Sequence, residues 1–216
     1  MFSGTNWEER VMLEFLRAGG PMLWLIVFFG VIGIYVFLEK FFQLRRNQVN
    51  VRELVTGLVN VLKRDAMIEA ITLCDTTPGP VAKLLNAAIQ AYQNDDDIKP
   101  AIEDTAKTEL NRLESRLNIL STIANIAPLL GLLGTVVGMY DTFSGISASN
   151  GMSLAALSGG VKEALITTAA GLCVAIPAHL AYNYLLTQVQ SLCADMEKAS
   201  SEILYFFAHR KQELNK

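Results

Sequence analysis

Three stretches of this 216-residue chain contain no charged side chain at all, and cysteine and histidine are scarce throughout. The cysteines, Cys74, Cys173 and Cys193, are odd in number and far apart, which excludes a disulfide framework and a clustered metal site. The two histidines, His179 and His209, have no nearby nucleophile or ligand set, and no glycine-rich nucleotide loop is present. Enzyme chemistry therefore has no visible seat, and neither a cofactor nor a metal is expected. A net charge of −3 offers no basic surface for nucleic acid. No segment alternates like a strand, and no repeat or low-complexity tract occurs. What remains is helix.

The uncharged runs are the positive content. "AGGPMLWLIVFFGVIGIYVFL" lies between Arg17 and Glu39, and "LNILSTIANIAPLLGLLGTVVGMY" between Arg116 and Asp141. A third run follows Glu163 and reaches Asp195. A bilayer needs about 20 apolar residues as helix, so all three are spans. The first is a poor signal peptide, because "WEERVMLEFLR" leads in and bulky "YVFLEKFF" follows, so it is expected to stay as an anchor.

Of the 18 Lys and Arg, 11 lie from Lys40 to Arg116 and four follow the third span. Basic residues near span ends mark the cytoplasmic side, and Lys40, Arg45 and Arg46 dominate. The expected order is a periplasmic segment 1–18, span one 19–39, a cytoplasmic helical region 40–116, span two 117–141, a periplasmic loop 142–160, span three 161–186 and a cytoplasmic C-terminal helix 187–216. This is an all-α membrane protein with three transmembrane helices and long cytoplasmic helical extensions, its N-terminus periplasmic and its C-terminus cytoplasmic.

Within the cytoplasmic region, helical spacing runs through 51–64 and 65–74, with Asp65 placed to cap the second. "DTTPGP" breaks the chain, "VAKLLNAAIQAYQ" resumes it, and a helix from Ile98 tolerates Pro100 in its first turn. Ile102, Ala106, Leu110, Leu113, Leu117 and Leu120 carry a 3–4 spacing straight into span two.

Small residues line spans two and three. Gly131, Gly134 and Gly138 on one and Gly171 on the other mark close helix contacts. These faces suit packing of the two spans on each other, but two such faces and a polar lining fit an oligomer better. Pro128 and Pro177 free one carbonyl each and favour packing kinks. Polar atoms at depth are few: Thr135, Thr167 and Thr168, which ordinarily bond back to their own helix. Glu163 is a functional suspect because a carboxylate near hydrocarbon costs free energy; capping of a helix start is the alternative. With the threonines it makes half of a proton path that lacks a second titrating group. His179, about 24 Å along the helix from Glu163, reads as interfacial. Asp141 lies at the outer end of span two.

"APLLGLLGTVVGM" and "GVKEALITTAAGLCVAIPAHLAYN", with three spans and a large inner loop, closely resemble the MotA/TolQ/ExbB proton-channel family, and its ExbB/TolQ branch above all. By motif, Glu163 matches the family's membrane glutamate, Thr135 the threonine of "GLLGT", and Thr168 the threonine five residues after the glutamate. The resemblance implies a multi-pass protein of the bacterial inner membrane, set in lipid as a homopentamer around a dimer of ExbD/TolR-like single-span subunits. Their aspartate would supply the missing group, and proton-motive force would energise a TonB/TolA-like periplasmic protein. An ExbB-like transport role is expected, with a TolQ-like role in outer-membrane integrity and cell division, or a non-conducting scaffold, as alternatives. His179 and Asp141 depart from the family's motif.

In a cysteine-free background, single cysteines at Ser3 and Asn150 should react with an impermeant thiol reagent from outside, and one at Asp96 should not. Outside labelling at Asp96 would reverse the topology.

Overall fold

The computed structural model describes residues 19–46, 50–148 and 154–214, all but a few of them in seven helices. These are α1 (Gly20–Arg46), α2 (Val51–Lys63), α3 (Met67–Thr76), α4 (Pro80–Gln93), α5 (Ile98–Glu114), α6 (Leu117–Ala148) and α7 (Leu154–Leu214). The expected periplasmic segment 1–18 and the centre of the outer loop lie outside the described residues. The chain divides into two compact units, with the divisions falling near Leu38, Leu117 and Asn183. Among the described residues three helices are long and apolar enough to cross a membrane, α1, α6 and α7.

The membrane unit is held by small contacts. Leu23 and Ile26 of α1 bury against Ile166 and Ala170 of α7. A Cβ added to Gly30 would stand 3.2 Å from Val174, and one on Gly33 would stand 3.7 Å from Ile123 of α6. Elsewhere all three spans expose large apolar side chains, among them Trp24, Phe28, Leu129, Leu132, Leu165 and Leu172. In lipid that exposure is no cost.

The second unit is a water-type core. Leu54, Leu58 and Leu62 of α2 meet Leu84, Leu85 and Ile89 of α4, Ile102 of α5, and Met196, Ile203 and Phe207 of α7. Tyr92 stacks on Phe207 with centroids 4.3 Å apart. Cys74 lies in this core, where burial and the neighbouring Asp75 push its thiol up to about 11. It stays protonated and unreactive.

Three local expectations change. Asp65 does not cap α3, whose N-cap is Ala66. It takes a left-handed backbone (φ 61°), which Asp tolerates, and pairs with Arg210 instead. The helix from Ile98 does not run unbroken into span two, because Ser115 and Arg116 form a turn, although Ser115 keeps α-region angles. The outer loop is far shorter than 142–160: α6 continues to Ala148 and α7 already starts at Leu154. Internal hydrogen bonding keeps even Ser- and Gly-rich backbone helical.

Lys40 explains the turn at Ser115. Only 2% exposed, its ammonium donates to the carbonyls of Arg112 (3.2 Å) and Leu113 (3.1 Å) at the C-terminus of α5. Carbonyls there are left without helix partners and carry the negative end of the helix dipole, so a cation satisfies both needs. Glu39 beside it pairs with Arg116. Lys40→Met keeps the apolar stem and removes the donor. It should cost about 2 kcal/mol, the scale of a hydrogen bond to a charged group, read as a lower thermal midpoint in detergent. An unchanged midpoint would mean water replaces the ammonium freely.

Candidate functional site

Spans two and three approach until backbone meets backbone. A Cβ on Gly171 would stand 2.6 Å from the Ala127 carbonyl oxygen and 3.0 Å from the Gly131 Cα. One on Gly131 would meet the Thr168 Cα at 3.2 Å, and one on Gly138 the Gly160 carbonyl oxygen at 3.2 Å. At Gly134 the obstacle is the Thr167 side chain, at 2.5 Å. The small faces are thus used within the chain, on each other, and they supply no argument for an oligomer.

The threonines follow from this packing. Thr167 is 1% exposed and its hydroxyl donates to the carbonyl of Ala164 (2.9 Å) or Glu163 (3.2 Å). Thr135 is half-buried and donates to Leu132 of its own helix at 2.5 Å. Thr168 differs: its hydroxyl reaches the Gly131 carbonyl across the interface at 3.3 Å as well as Ala164 at 3.2 Å. Glycine at 131 is what brings that carbonyl within reach.

Glu163 is not at a helix start, since α7 begins nine residues earlier at Leu154. It therefore does not cap the start of its own helix. Its carboxylate lies against Gly20, where a Cβ would overlap Oε1. Gly20 opens α1 with φ +57°, so glycine is required there twice, for the backbone angle and for space. A carboxylate at a helix N-terminus also meets the positive end of its dipole.

The predicted site residues therefore divide. Glu163, with Ile166, Ala170 and Val174 at helical spacing, faces the side occupied by α1. Thr168 faces α6, and Thr135 sits at the margin of the α6 face that packs on α7. The structure brings the two threonine positions to one side and leaves Glu163 on the other. Pro177 is exposed and Pro128 half-buried. His179, Cys173 and Asp141 are exposed. Among the described residues no cluster of His, Cys, Asp and Glu could hold a metal ion.

Residues 77–198 match the model of the MotA/TolQ/ExbB proton channel family. The chain is 31% identical over 180 residues to a protein of Methanothermobacter thermautotrophicus named as a biopolymer transport protein ExbB homolog, covering 82% of this chain and 64% of that one. It is 32% identical over 150 residues to the biopolymer transport protein ExbB of Neisseria gonorrhoeae, covering 62% and 68%. To the Tol-Pal system protein TolQ of Haemophilus influenzae it is 41% identical over 87 residues, covering 40% and 38%. The chain thus spans about two thirds of the first two relatives, 64% and 68% of their lengths.

The glycine contacts are directly testable. Gly171→Ala puts a methyl against backbone that cannot swing aside, so it should destabilise by about 1–3 kcal/mol, the usual range for overpacking. Gly159→Ala has nothing within 4 Å and lies inside α7. It should be neutral or gain up to about 1 kcal/mol of helix propensity. Equal thermal midpoints for the two variants would show that spans two and three are not in this contact.

Proposed function

We propose, for a chain that belongs to the MotA/TolQ/ExbB proton channel family and is a multi-pass inner-membrane protein, that it is the proton-channel subunit of a motor complex. In this reading proton-motive force acts through it on a periplasm-spanning partner. The observation that supports it most is Glu163, held well inside a helix of the membrane unit, where it does not cap the helix that carries it. A carboxylate in that setting is retained for its charge or its proton.

The assembly follows the family: a homopentamer with its N-termini periplasmic, enclosing two ExbD/TolR-like single-span subunits. Glu163, Thr135 and Thr168 are its proton-path residues, and the partner's aspartate is the titrating station they lack. Broad exposed apolar faces on spans two and three suit contact with neighbouring subunits and with lipid. An ExbB-like role in outer-membrane transport is favoured by the length of the ExbB matches over the TolQ one. The chain acts without covalent chemistry. One charge moved through 100 mV yields about 2.3 kcal/mol, so a few protons per stroke suffice for a rearrangement.

The test is reconstitution. Proton flux into liposomes should be negligible for this chain alone and appear with a single-span, Asp-bearing partner. Glu163→Gln keeps shape and hydrogen bonding but cannot release a proton, so it should preserve the mass of the complex and abolish flux. Strong leakage from the isolated chain would overturn the two-subunit reading, and full flux in Glu163→Gln would overturn the role of the carboxylate.

A further inference from the structure

The outer ends of spans one and three meet at one polar contact. Glu163 rests its carboxylate where the side chain of residue 20 would stand, and glycine leaves that place empty. A Cβ there would overlap Oε1 and lie 3.1 Å from the carboxyl carbon. The platform beneath it is fixed. Leu23 and Ile26 are 1% and 0% exposed, buried against Ile166 and Ala170 of α7. The first turn of α1 closes through the Leu23 amide, which donates to the Gly19 carbonyl at 3.3 Å. Further along the same two helices Gly30 stands against Val174. Spans one and three thus run parallel and keep the same faces together over about 15 Å.

Polar partners do not hold this carboxylate. Among the described residues Glu163 has neither an ion pair nor a side-chain hydrogen bond. Lys162, its neighbour in the chain, and Asp141 of α6 are exposed and do not pair with it. Fixing the rotatable bonds of a glutamate costs conformational entropy, so an unheld carboxylate would wander. Its resting place is therefore set by shape, and the shape is the notch at Gly20. On an ideal helix Glu163 lies about 20° from Ala170 and Val174 and about 140° from Thr168. The notch thus keeps the acid on the α1 side of the helix, away from Thr168.

Resting on the channel reading above, we propose that Gly20 is a positioning residue for proton transfer. The place left by its missing side chain seats the Glu163 carboxylate, so span one takes part in the path and is more than an anchor. Proton transfer needs donor and acceptor within about 2.6–3.2 Å of each other. A misplacement of about 1 Å can cost roughly a hundredfold in rate. A methyl group at position 20 occupies the space of Oε1 itself and drives the acid off its seat. The constraint is one of length, and a shorter acid relieves it. Glu163→Asp withdraws the carboxylate by one carbon–carbon bond, about 1.5 Å, which leaves room for the methyl.

The test is a double-substitution cycle in the complex, purified through a tag on this chain and reconstituted with its single-span partner. Gly20→Ala should lower proton flux by roughly tenfold to a hundredfold. Alanine is also strained at a positive φ, but that strain is the same whatever stands at position 163 and cancels in the cycle. In the Glu163→Asp background Gly20→Ala should cost little or nothing. Equal losses in both backgrounds, or full flux in Gly20→Ala, would overturn the seat and leave the channel reading standing. A silent unsubstituted complex would overturn both. Should Gly20→Ala alone fail to fold or assemble, recovery of the complex in the double variant upholds the seat, and continued failure overturns it. Should Glu163→Asp alone be silent, the cycle is read in thermal midpoints. A smaller drop for Gly20→Ala in the Glu163→Asp background then upholds the seat, and an equal drop overturns it.

Discussion

The membrane unit depends on the approach of Gly171 to Ala127 and Gly131. Inside a bilayer apolar burial gives helices no reason to associate, so association must come from dispersion and hydrogen bonds at short range. Only glycine lets the two backbones come this near. The short distance in turn places the Gly131 carbonyl within reach of Thr168 and encloses Thr167. It also fixes the register from which the depth of every other side chain follows. A slip of α6 along α7 would take the Gly131 carbonyl from Thr168 and put a bulkier residue where Gly134 clears Thr167.

The second unit is organised by different physics. Its core is Leu, Ile and aromatic rings expelled from water, and its helices are closed by charges rather than by glycines. Arg210 shows how the two devices meet. Its guanidinium donates to the Leu62 carbonyl at 2.7 Å, pairs with Asp65 and lies over the Tyr92 ring, tying the end of α2 to α7. The chain thus carries a lipid-adapted unit and a water-adapted one, each with its own kind of core.

Most of the fold was legible because hydropathy is a long-range signal. Runs without charge mark spans whatever their details; the starts at Val51 and Ile98 followed from spacing, and α4 begins at Pro80, one residue before the expected Val81. Local polar signals misled where tertiary partners decide. Asp65 has the chemistry of a cap, yet Arg210 claims it from a distant stretch of sequence. Ser and Gly around 142–160 resemble a loop only if water is there to satisfy the backbone. Of the site, Glu163 and the threonines stood out by composition, but their separation onto two sides required the third helix. Gly20 was hidden because its purpose lies in a residue far along the chain.

Lys40 carries a consequence for how the molecule is made. The carbonyls that satisfy it are supplied 72 and 73 residues later in the chain. At a synthesis rate of roughly 5–20 residues per second, those atoms emerge about 4 to 15 seconds after the lysine does. Through that interval the ammonium must remain in water at the end of an already inserted span, held out of hydrocarbon by its own hydration. The same residue therefore acts twice in succession: first as a stop that fixes how far the first helix enters the bilayer, then as the cap that ends α5. Burial comes second, and only because the orientation has by then been set.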